Sequence, residues 1–580
     1  MTKTLSTRIW RCADTDYNNQ EILFADKTHS DDSLAQIKEA GFNGIWLRAK
    51  LRELVPTDLF RRYIRNADKR MNSLQHLCDR AAKHQLGVWL YFTEPLGLDQ
   101  SHKFWKDHPN LAGPVTSILD FAPAVSLCSS TPGVQNYLYE GFHELFKTVP
   151  LTGVILITAS EHVNNCWSHV LSNPDGYKSA EVFWHSKCSC PRCAPRGADA
   201  VIAEVISTIN TAVKSARSRA QVVAWDWSWN MHVDPPYRKI VDKLPIVVAL
   251  MGDFERGGFV RRLGQKIEVE EYSLAYAGPS KRYASEVKAY GGKRSQFAKL
   301  QINTTHELAT VINMPLMVSL YRKFNYLRKS QVHGIMATWN FACSPDTINV
   351  YAINKLCKQK KVGDEKSWLK TLAKEYFGKG TDSGAVVAAW YAFQRAMNYY
   401  PSNGNKFVYW SPINYALGYP LKTKFSGKPV GPSWIEHEFS DNDNLDQSLG
   451  GFSLEDVVSL LGKLSSKWYK ACWLYEKALT EANDKKRKNQ ELASAMVTAG
   501  SFRSCYNIYR WYALRKNKRS AVFGADEQQI IDSEIQNLKL ALPFVESDQR
   551  MGYHAEAKWQ MFNGSAIKRK IIDLEKIHSC

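Results

Sequence analysis

The chain has 580 residues, of which 44% are hydrophobic and 12% aromatic, and its formal net charge at pH 7 is +19. This length allows about two to four domains, and the apolar content excludes an intrinsically disordered chain. No apolar run reaches the roughly 18 residues that a membrane-spanning helix needs. The first residues, MTKTLSTRIWRCADTD, lack the apolar segment of a secretory signal. We expect a cytoplasmic protein, or a secreted or periplasmic mature form whose signal has been removed.

The first 350 residues alternate short β-rich runs with amphipathic segments, a pattern typical of parallel βα units. Eight runs are present: an uncertain first strand within RIWRCAD or EILFAD, then 42–49, 87–95, 152–161, 221–230, 245–255, 297–307 and 334–341. Segments with helical periodicity separate them, such as 73–85, 134–148 and 200–216. The pattern predicts an α/β fold, a (β/α)8 TIM barrel with long loops.

The rest of the chain is predicted to be mainly helical. Helical periodicity occurs from about 365 to 400 and again from 453 onward, on either side of a turn-rich aromatic segment. We therefore predict a barrel over 1–350, a helical and turn-rich connecting region packed on it over 351–450, and a helical C-terminal domain over 451–580.

The positive charge is concentrated in NDKKRKNQ (483–490) and RKNKRS (515–520), with no recognisable nucleic-acid motif beside them. A solvated positive face explains these segments, and attraction of an anionic polysaccharide remains an alternative. We expect neither nucleic acid nor a membrane as a partner.

One group of the twelve cysteines is closely spaced, whereas most of the others are isolated on apolar patterns. The stretch CSCPRC contains Cys188, Cys190 and Cys193, and Cys166 lies a short way upstream. A Cys-x-x-Cys pair with further Cys or His nearby is typical of structural zinc sites. We predict zinc bound by Cys166, Cys190 and Cys193, with Cys188 or a histidine as fourth ligand. Disulfides and free thiols remain open alternatives.

Polar and aromatic side chains follow the predicted strands, at the ends where barrel enzymes place their active sites. They are Arg48, Glu94, Glu161, His162, Trp225, Asp226, Trp227, Trp229, Asn230, Asp253, Glu255, Thr304, Thr305, His306, Glu307, Trp339 and Asn340. A lone carboxylate after a strand is most often a helix cap or part of a surface ion pair. Acids and tryptophans at several strand ends in succession are harder to explain in that way.

These residue types suit the hydrolysis of glycosidic bonds. One carboxylic acid protonates the leaving oxygen, a carboxylate attacks the anomeric carbon or activates water, and aromatic rings stack on sugars. The sequence contains no GxGxxG after a strand, no P-loop, no GxSxG and no HExxH. We therefore expect a carbohydrate substrate, with an anionic one as an open alternative, and no catalytic cofactor.

Several stretches resemble a group of uncharacterised bacterial glycosyl-hydrolase-like barrels, in the same order over most of residues 40–350. They are ITASEHVNNCW, CPRC, VVAWDWSWN, EYSLAYAGPS, AKLQINTTHELATVINMPL and GIMATWNFACSPDTINV. Glutamates ending strands four and seven also resemble the retaining glycoside hydrolases of the 4/7 superfamily. That resemblance implies Glu161 as acid/base and Glu307 as nucleophile in a double displacement, with a β-linked substrate. We also expect exo action.

The chain departs from these patterns at two points. Ser160 stands before Glu161, where the 4/7 pattern has Asn and barrels acting on N-acetylhexosamines have Asp. His306 stands where the resembling proteins tend to have an aromatic residue. Retention would place the two carboxyl groups about 5–5.5 Å apart, and inversion about 6.5–9.5 Å apart.

His162 and Tyr272 are candidates for orienting the two glutamates. The candidates for binding sugar are Arg48, Glu94, Trp225, Asp226, Trp227, Trp229, Asn230, Glu255, Trp339 and Asn340. Ordinary packing explains each tryptophan equally well. Alternation along WDWSW would place its three tryptophans on one face of strand five, and Asp226 and Ser228 on the other.

Three other interpretations remain. Glu161 could act with Asp253 or Glu255, or the barrel could be N-acetylhexosaminidase-like and use a different carboxylate pair. The third is a non-catalytic barrel that binds carbohydrate, or a scaffold whose basic helical domain binds an acidic partner.

Overall fold

The structure is a computed structural model that describes most of the chain. The described residues are 5–11, 21–116, 123–160, 162–168, 170–171, 184–185, 187–270, 272–339, 344–359, 362–430, 442–516, 525–556 and 559–578. Glu161 and Asn340, two of the predicted site residues, lie outside them.

Eight parallel strands form a closed barrel. They are β1 (Thr7–Trp10), β2 (Gly44–Arg48), β3 (Gly87–Phe92), β4 (Gly153–Leu156), β5 (Gln221–Trp225), β6 (Ala249–Asp253), β7 (Gln296–Leu300) and β8 (Gly334–Ala337). Neighbours in the barrel are neighbours in the chain, and β8 pairs with β1 to close the ring. The predicted (β/α)8 barrel is confirmed. Its first strand lies in RIWRCAD, and each strand is shorter than the run that predicted it.

Helices lie between the strands as the periodicity predicts. They are α1 (Ala25–Thr28), α2 (Asp31–Glu39), α3 (Leu51–Leu54), α4 (Ala67–Lys83), α5 (Phe104–Asp107), α6 (Pro132–Thr148), α7 (Ala198–Ala216), α8 (Arg238–Val241), α9 (Lys281–Tyr290) and α10 (Met317–Lys329). Helices α6 and α7 cover two of the predicted amphipathic segments, and α4 covers the third except for its last two residues. Each buries most of its apolar residues, and α6 packs against α7.

Short strands lie in the loops between the barrel strands, and the sequence did not indicate them. Leu98–Asp99, Ala112–Thr116 and Ala124–Leu127 form a three-stranded antiparallel sheet in which the last is central. Gly258–Arg262 and Gln265–Val269 form a hairpin, and Val170–Leu171 pairs with Trp184–His185. The three-stranded sheet is formed by the part of the sequence between β3 and α6.

Two aromatic rings fill the amino-terminal end of the barrel. Trp89 of β3 and Phe297 of β7 contact each other with ring centroids 6.3 Å apart. A Cβ atom at Gly44 or Gly153 would lie 2.9 or 2.5 Å from the Trp89 ring. Glycines at the starts of the strands therefore make room for the rings. Small residues next to large ones allow the close packing of the barrel interior.

We expect Gly153→Ala to lower the free energy of unfolding by about 1–3 kcal/mol, since the new Cβ would lie 2.5 Å from Trp89 and 2.6 Å from the Gln221 carbonyl oxygen. Gly363→Ala is the control, because nothing lies within 4 Å of a Cβ at Gly363. Urea unfolding measures both variants. Equal stabilities of the two would contradict this description of the barrel core.

The contacts divide the chain into two compact units. The first unit is Met1–Phe254, Lys281–Lys299 and Leu327–Ala337, and the second is Glu255–Ser280, Leu300–Tyr326 and Thr338–Cys580. The first contains the barrel strands, apart from Leu300 at the end of β7, and helices α1–α9. The three predicted domains with boundaries at 350 and 450 remain a prediction.

The second unit is mainly helical, as predicted for the C-terminal part of the chain. Beyond α10 it contains α11 (Ile348–Lys358), α12 (Glu365–Phe377), α13 (Ser383–Ala396), α14 (Lys406–Trp410), α15 (Leu454–Ala478), α16 (Lys485–Arg515), α17 (Ala525–Ser547) and α18 (Gly564–His578). Helix α16 packs against both α15 and α17, and its residues 491–502 are buried without interruption. It is therefore the central helix of this unit. Among the described residues, no helix combines the length and the apolar character needed to cross a membrane.

Candidate active-site residues

The loop that follows β4 is held by its own polar side chains. Asn164 donates from Nδ2 to the Ile157 carbonyl oxygen at 3.2 Å and to Ser160 Oγ at 3.3 Å. Ser168 Oγ accepts the backbone N–H groups of Asn164 and Asn165 at 2.9 and 3.1 Å. The chain is thus fixed on both sides of position 161, although Glu161 itself lies outside the described residues.

Arg48 and His162, two predicted site residues, are brought together in the first unit. Arg48 Nη2 lies 3.5 Å from His162 Nε2. Burial, followed by the positive charges of Arg48 and Lys50, lowers the pKa of His162 to about 3. His162 is therefore neutral near pH 7. Because arginine can only donate, Nε2 is the acceptor and the ring proton is assigned to Nδ1.

Glu94, after β3, fixes the loops around it. Its Oε1 accepts the Leu51 N–H at 2.8 Å, and its Oε2 accepts the Leu96 N–H at 2.9 Å and the Tyr137 hydroxyl at 3.2 Å. Burial raises the pKa of Glu94, against the opposing effects of Arg52 and these hydrogen bonds. Contact of Glu94 with a sugar remains a prediction.

Three buried carboxyl groups meet beyond the ends of β5 and β6. They belong to Asp226 after β5, Asp253 at the end of β6 and Glu286 on α9. Gly252 makes room for the third, since a Cβ there would lie 3.3 Å from both Glu286 carboxyl oxygens and 2.8 Å from the Tyr283 ring.

The proximity of these acids changes their protonation. Burial, followed by the charge of Asp253, raises the pKa of Asp226 to about 6. Burial, followed by the charge of Asp226, raises the pKa of Glu286 well above its ordinary value. The positive charge of Arg282 opposes both shifts, and Arg282 also donates to Asn230 Oδ1 at 3.2 Å. Near neutral pH this group therefore retains a proton that it can donate.

Glu286 was not predicted as a site residue because it lies on a helix, where a single glutamate in SEVKAY is typical of a solvated face. Its total burial opposite two strand-end aspartates is a tertiary feature. Asp226 was predicted to bind sugar. The structure places it in a group of acids, fully buried.

The predicted alternation along WDWSW is wrong. Strand β5 ends at Trp225, and Trp229–Met231 form a 3-10 turn, so the period of two does not continue. Trp225 and Trp229 are buried, and only Trp227 of the three tryptophans is partly exposed. Trp225 packs near Tyr91, with ring centroids 6.2 Å apart. Ordinary packing thus accounts for Trp225 and Trp229.

In the second unit, the carboxylate of Glu307 accepts hydrogen bonds from four donors. Ser273 Oγ donates to Oε1 at 2.6 Å. Oε2 accepts the backbone N–H groups of Leu274 and Ala275 at 3.0 and 3.1 Å, and the Thr305 hydroxyl at 2.9 Å. An ionised carboxylate has only acceptors, so this bonding fits the anion. Among the described residues, Oε1 accepts one hydrogen bond and Oε2 accepts three.

His306, next to Glu307, lies between aromatic rings and a second carboxylate. Its ring centroid is 4.9 Å from that of Tyr272 and 5.8 Å from that of Tyr409. Nδ1 is 3.1 Å from the Tyr409 hydroxyl, and Nε2 is 3.0 Å from Glu556 Oε2. Trp339 donates from Nε1 to Glu556 Oε1 at 3.1 Å. Two predicted residues, Tyr272 and Trp339, therefore belong to one polar and aromatic cluster.

Tyr409 and Glu556 of this cluster were not predicted, because no local pattern connects them with the residues that follow β7. Burial favours the neutral form of Glu556, but the charge and hydrogen bond of His306 outweigh it and hold the pKa of Glu556 below its ordinary value. The carboxylate thus remains ionised, and it orients both His306 and Trp339.

Glu255, predicted to bind sugar, forms a fully buried ion pair with Lys323. The same Lys323 donates to the Ser273 carbonyl oxygen at 2.8 Å, and the Ser273 hydroxyl donates to Glu307. Gln301 also donates its N–H to Glu255 Oε1 at 3.0 Å. The pair therefore fixes the segment that supports Glu307, and sugar binding by Glu255 remains a prediction.

The cysteine cluster forms with one change from the predicted ligands. Cys166, Cys190 and Cys193 come together as predicted, but the fourth sulfur is that of Cys128, and all four lie within 4.8 Å of one another. Cys188 is partly exposed and lies outside this quartet. Cys128 was missed because a small antiparallel sheet brings it in from a distant part of the chain.

This chain is similar to known proteins in its fold. No protein-family model matches the sequence, and no match was found among curated proteins. A solved GH138 enzyme targeting pectin rhamnogalacturonan II superposes with a TM-score of 0.53 at 9% identity, over 100% of this chain and 84% of that chain.

Two structures of family 89 glycoside hydrolase from Clostridium perfringens are also similar. One, in complex with PUGNAc, has a TM-score of 0.52 at 9% identity, over 100% of this chain and 64% of that chain. The other, in complex with its substrate GlcNAc-alpha-1,4-galactose, has a TM-score of 0.51 at 10% identity, over 95% of this chain and 55% of that chain. This chain thus spans less than two thirds of the family 89 chains. Its fold is that of barrel glycoside hydrolases with a further helical region.

The acid group of the first unit predicts a pH effect on stability. Since the pKa of Asp226 rises from 3.8 to about 6 on folding, the folded state retains a proton that the unfolded state releases between these values. Stability from this group is therefore lost as pH rises through that window. Asp226→Asn removes the effect, so its Tm relative to the unchanged protein should rise between about pH 4 and pH 7.

The control is Asp242→Asn, which alters an exposed aspartate of the same unit. Its Tm difference from the unchanged protein should not vary over this range. A Tm difference for Asp226→Asn that is equally independent of pH would contradict the protonation assigned to the group.

Proposed function

We propose that the protein is a glycoside hydrolase that acts with retention, with Glu307 as nucleophile and Glu161 as acid/base. The observation that carries the proposal is the carboxyl group of Glu307, in the segment that follows β7, which four donors hold in place. The fold shared with GH138 and family 89 glycoside hydrolases supports it.

The environment of Glu307 suits a nucleophile, which must be ionised and fixed in place. Among the described residues, three donors hold Oε2, whereas the Ser273 hydroxyl is the one donor to Oε1. The Tyr400 hydroxyl also donates to the Glu307 carbonyl oxygen at 2.8 Å, which fixes the backbone. We therefore assign Oε1 as the attacking atom.

The role of Glu161 rests on its place in the sequence after β4, where the 4/7 superfamily has its acid/base. The loop on both sides of it is fixed by Asn164 and Ser168. The neighbouring His162 is neutral near pH 7, because burial lowers its pKa to about 3. A neutral histidine can accept or donate a hydrogen bond without competing as the stronger acid.

The substrate we propose is a carbohydrate whose ring contacts the cluster of Tyr272, His306 and Trp339. Aromatic rings bind the apolar faces of sugars, and the His306–Glu556 pair can bind hydroxyl groups. Resemblance to the 4/7 superfamily favours a β-linked substrate and exo action. Because a family 89 enzyme binds GlcNAc-alpha-1,4-galactose, α-linked substrates belong in the first test as well.

The first experiment is a panel of aryl glycosides, α and β, neutral, acidic and N-acetylated, assayed with the full chain. We expect release of the aryl group from at least one, and a loss of about 10²-fold or more in kcat for Glu307→Gly and for Glu161→Gln. Azide should restore turnover of Glu307→Gly and give a glycosyl azide of inverted configuration, because azide replaces the missing nucleophile.

The control is Glu268→Gln, an exposed glutamate on the hairpin of the second unit, which should retain full activity. Full activity of Glu307→Gly would exclude Glu307 as nucleophile. Release of no sugar from any member of the panel, together with binding of those sugars, would favour a non-catalytic barrel.

A second candidate for catalysis is the group of buried acids formed by Asp226, Asp253 and Glu286. The pKa of Asp226, about 6, is that expected of a general acid near neutral pH. If this group supplies both the acid and the second carboxylate, Asp226→Asn or Asp253→Asn should abolish activity while Glu307→Gln preserves it. This result would assign catalysis to the ends of β5 and β6.

A further inference from the structure

Four cysteine sulfurs meet in the first unit from three separate parts of the chain. Cys128 directly follows the short strand Ala124–Leu127, Cys166 lies in the loop after β4, and Cys190 and Cys193 lie just before α7. All four side chains are buried, with Cys193 and Cys128 wholly so. None of the four is in a disulfide.

The spacing of the sulfurs is that of a tetrahedral metal site. A zinc ion bound by four thiolates at about 2.3 Å separates neighbouring sulfurs by about 3.8 Å. Cys128 Sγ lies 3.7 Å from Cys190 Sγ and 3.6 Å from Cys193 Sγ, and no pair in the quartet exceeds 4.8 Å. A disulfide needs about 2.05 Å, so the sulfurs surround a common centre and are not joined in pairs.

Polar donors lie beside the quartet, in addition to the apolar contacts of Val201 and Trp167. Arg192 donates from Nε to Cys128 Sγ at 3.2 Å, and Ser130 Oγ lies 3.1 Å from Cys193 Sγ. Arg196 in turn donates to Ser130 Oγ at 2.7 Å. Donors of this kind stabilise thiolates and orient them, as the outer groups of metal sites do.

Positive charge also lies beside the sulfurs. Four thiolates and one divalent zinc ion carry a net charge of −2, and the Arg192 guanidinium donates directly to Cys128 Sγ. Arg196 lies one step further out, where it is paired with Glu204 at 2.9 Å. Both arginines belong to the segment CPRCAPRG, which also supplies Cys190 and Cys193. One short segment therefore provides two ligands and a cation beside them.

We propose that Cys128, Cys166, Cys190 and Cys193 bind one structural zinc ion. Four protein ligands complete the tetrahedron and leave no position for water or substrate, so the ion has a structural role. It ties the loop after β4 to the small antiparallel sheet and to the start of α7. Cys188, the residue that spacing alone suggested, is not a ligand.

The test is the metal content of the full chain, purified without chelator and measured by mass spectrometry of the elements. We expect about one zinc per chain. Cys128→Ser should lose at least about nine tenths of it, because three ligands remain, whereas Cys188→Ser, which alters the other cysteine of the CSCPRC stretch, should retain it. Zinc lost from Cys188→Ser and retained by Cys128→Ser would overturn the ligand assignment.

Two measurements on the unchanged protein avoid the risk that Cys128→Ser fails to fold. Replacement of zinc by Co²⁺ should produce the visible absorption of a tetrahedral cobalt tetrathiolate. A strong chelator should lower the Tm and expose Cys128, Cys166, Cys190 and Cys193 to alkylation, located by peptide mass spectrometry. No bound metal, an octahedral cobalt spectrum, or disulfides among these four would each overturn the proposal. None of these results depends on catalytic activity.

Discussion

The ring of eight hydrogen-bonded parallel strands is the constraint on which the rest of the first unit depends. Because β8 pairs with β1, no strand edge is left open, and all eight strands end at the same rim. The Trp89 and Phe297 rings fill the opposite end, where strand-initial glycines admit them. Asp226 and Asp253 meet because their strands are neighbours in this ring.

The buried acids divide according to what surrounds them. Glu94 and Glu307 accept hydrogen bonds from backbone N–H and hydroxyl groups, and Glu255 is paired with Lys323. Asp226 has instead two other carboxyl groups as neighbours, so burial and like charge raise its pKa. A carboxylate held by donors suits a nucleophile, and a carboxyl that retains its proton suits an acid.

The eight strands and their order could be predicted from sequence, because buried parallel strands are apolar runs of distinctive length and composition. The predicted positions of Arg48, His162 and Trp339 near strand ends follow from the same count, whereas Tyr272 was a candidate only through the resemblance of EYSLAYAGPS. Cys128, Glu286, Tyr409 and Glu556 could not be found in this way, because only tertiary contacts bring them to their partners. The alternation along WDWSW failed because β5 ends at its first tryptophan.

The central claim is that Glu307 forms a bond with the sugar. A fluorinated glycoside of the sugar that the enzyme hydrolyses would slow the second step and trap this bond, and peptide mass spectrometry would locate it. The tryptic peptide 300–322 contains Glu307 as its only acidic residue. We predict that this peptide gains the mass of the fluoro-sugar. A label on another peptide, or turnover to an inverted product with no label, would contradict the account.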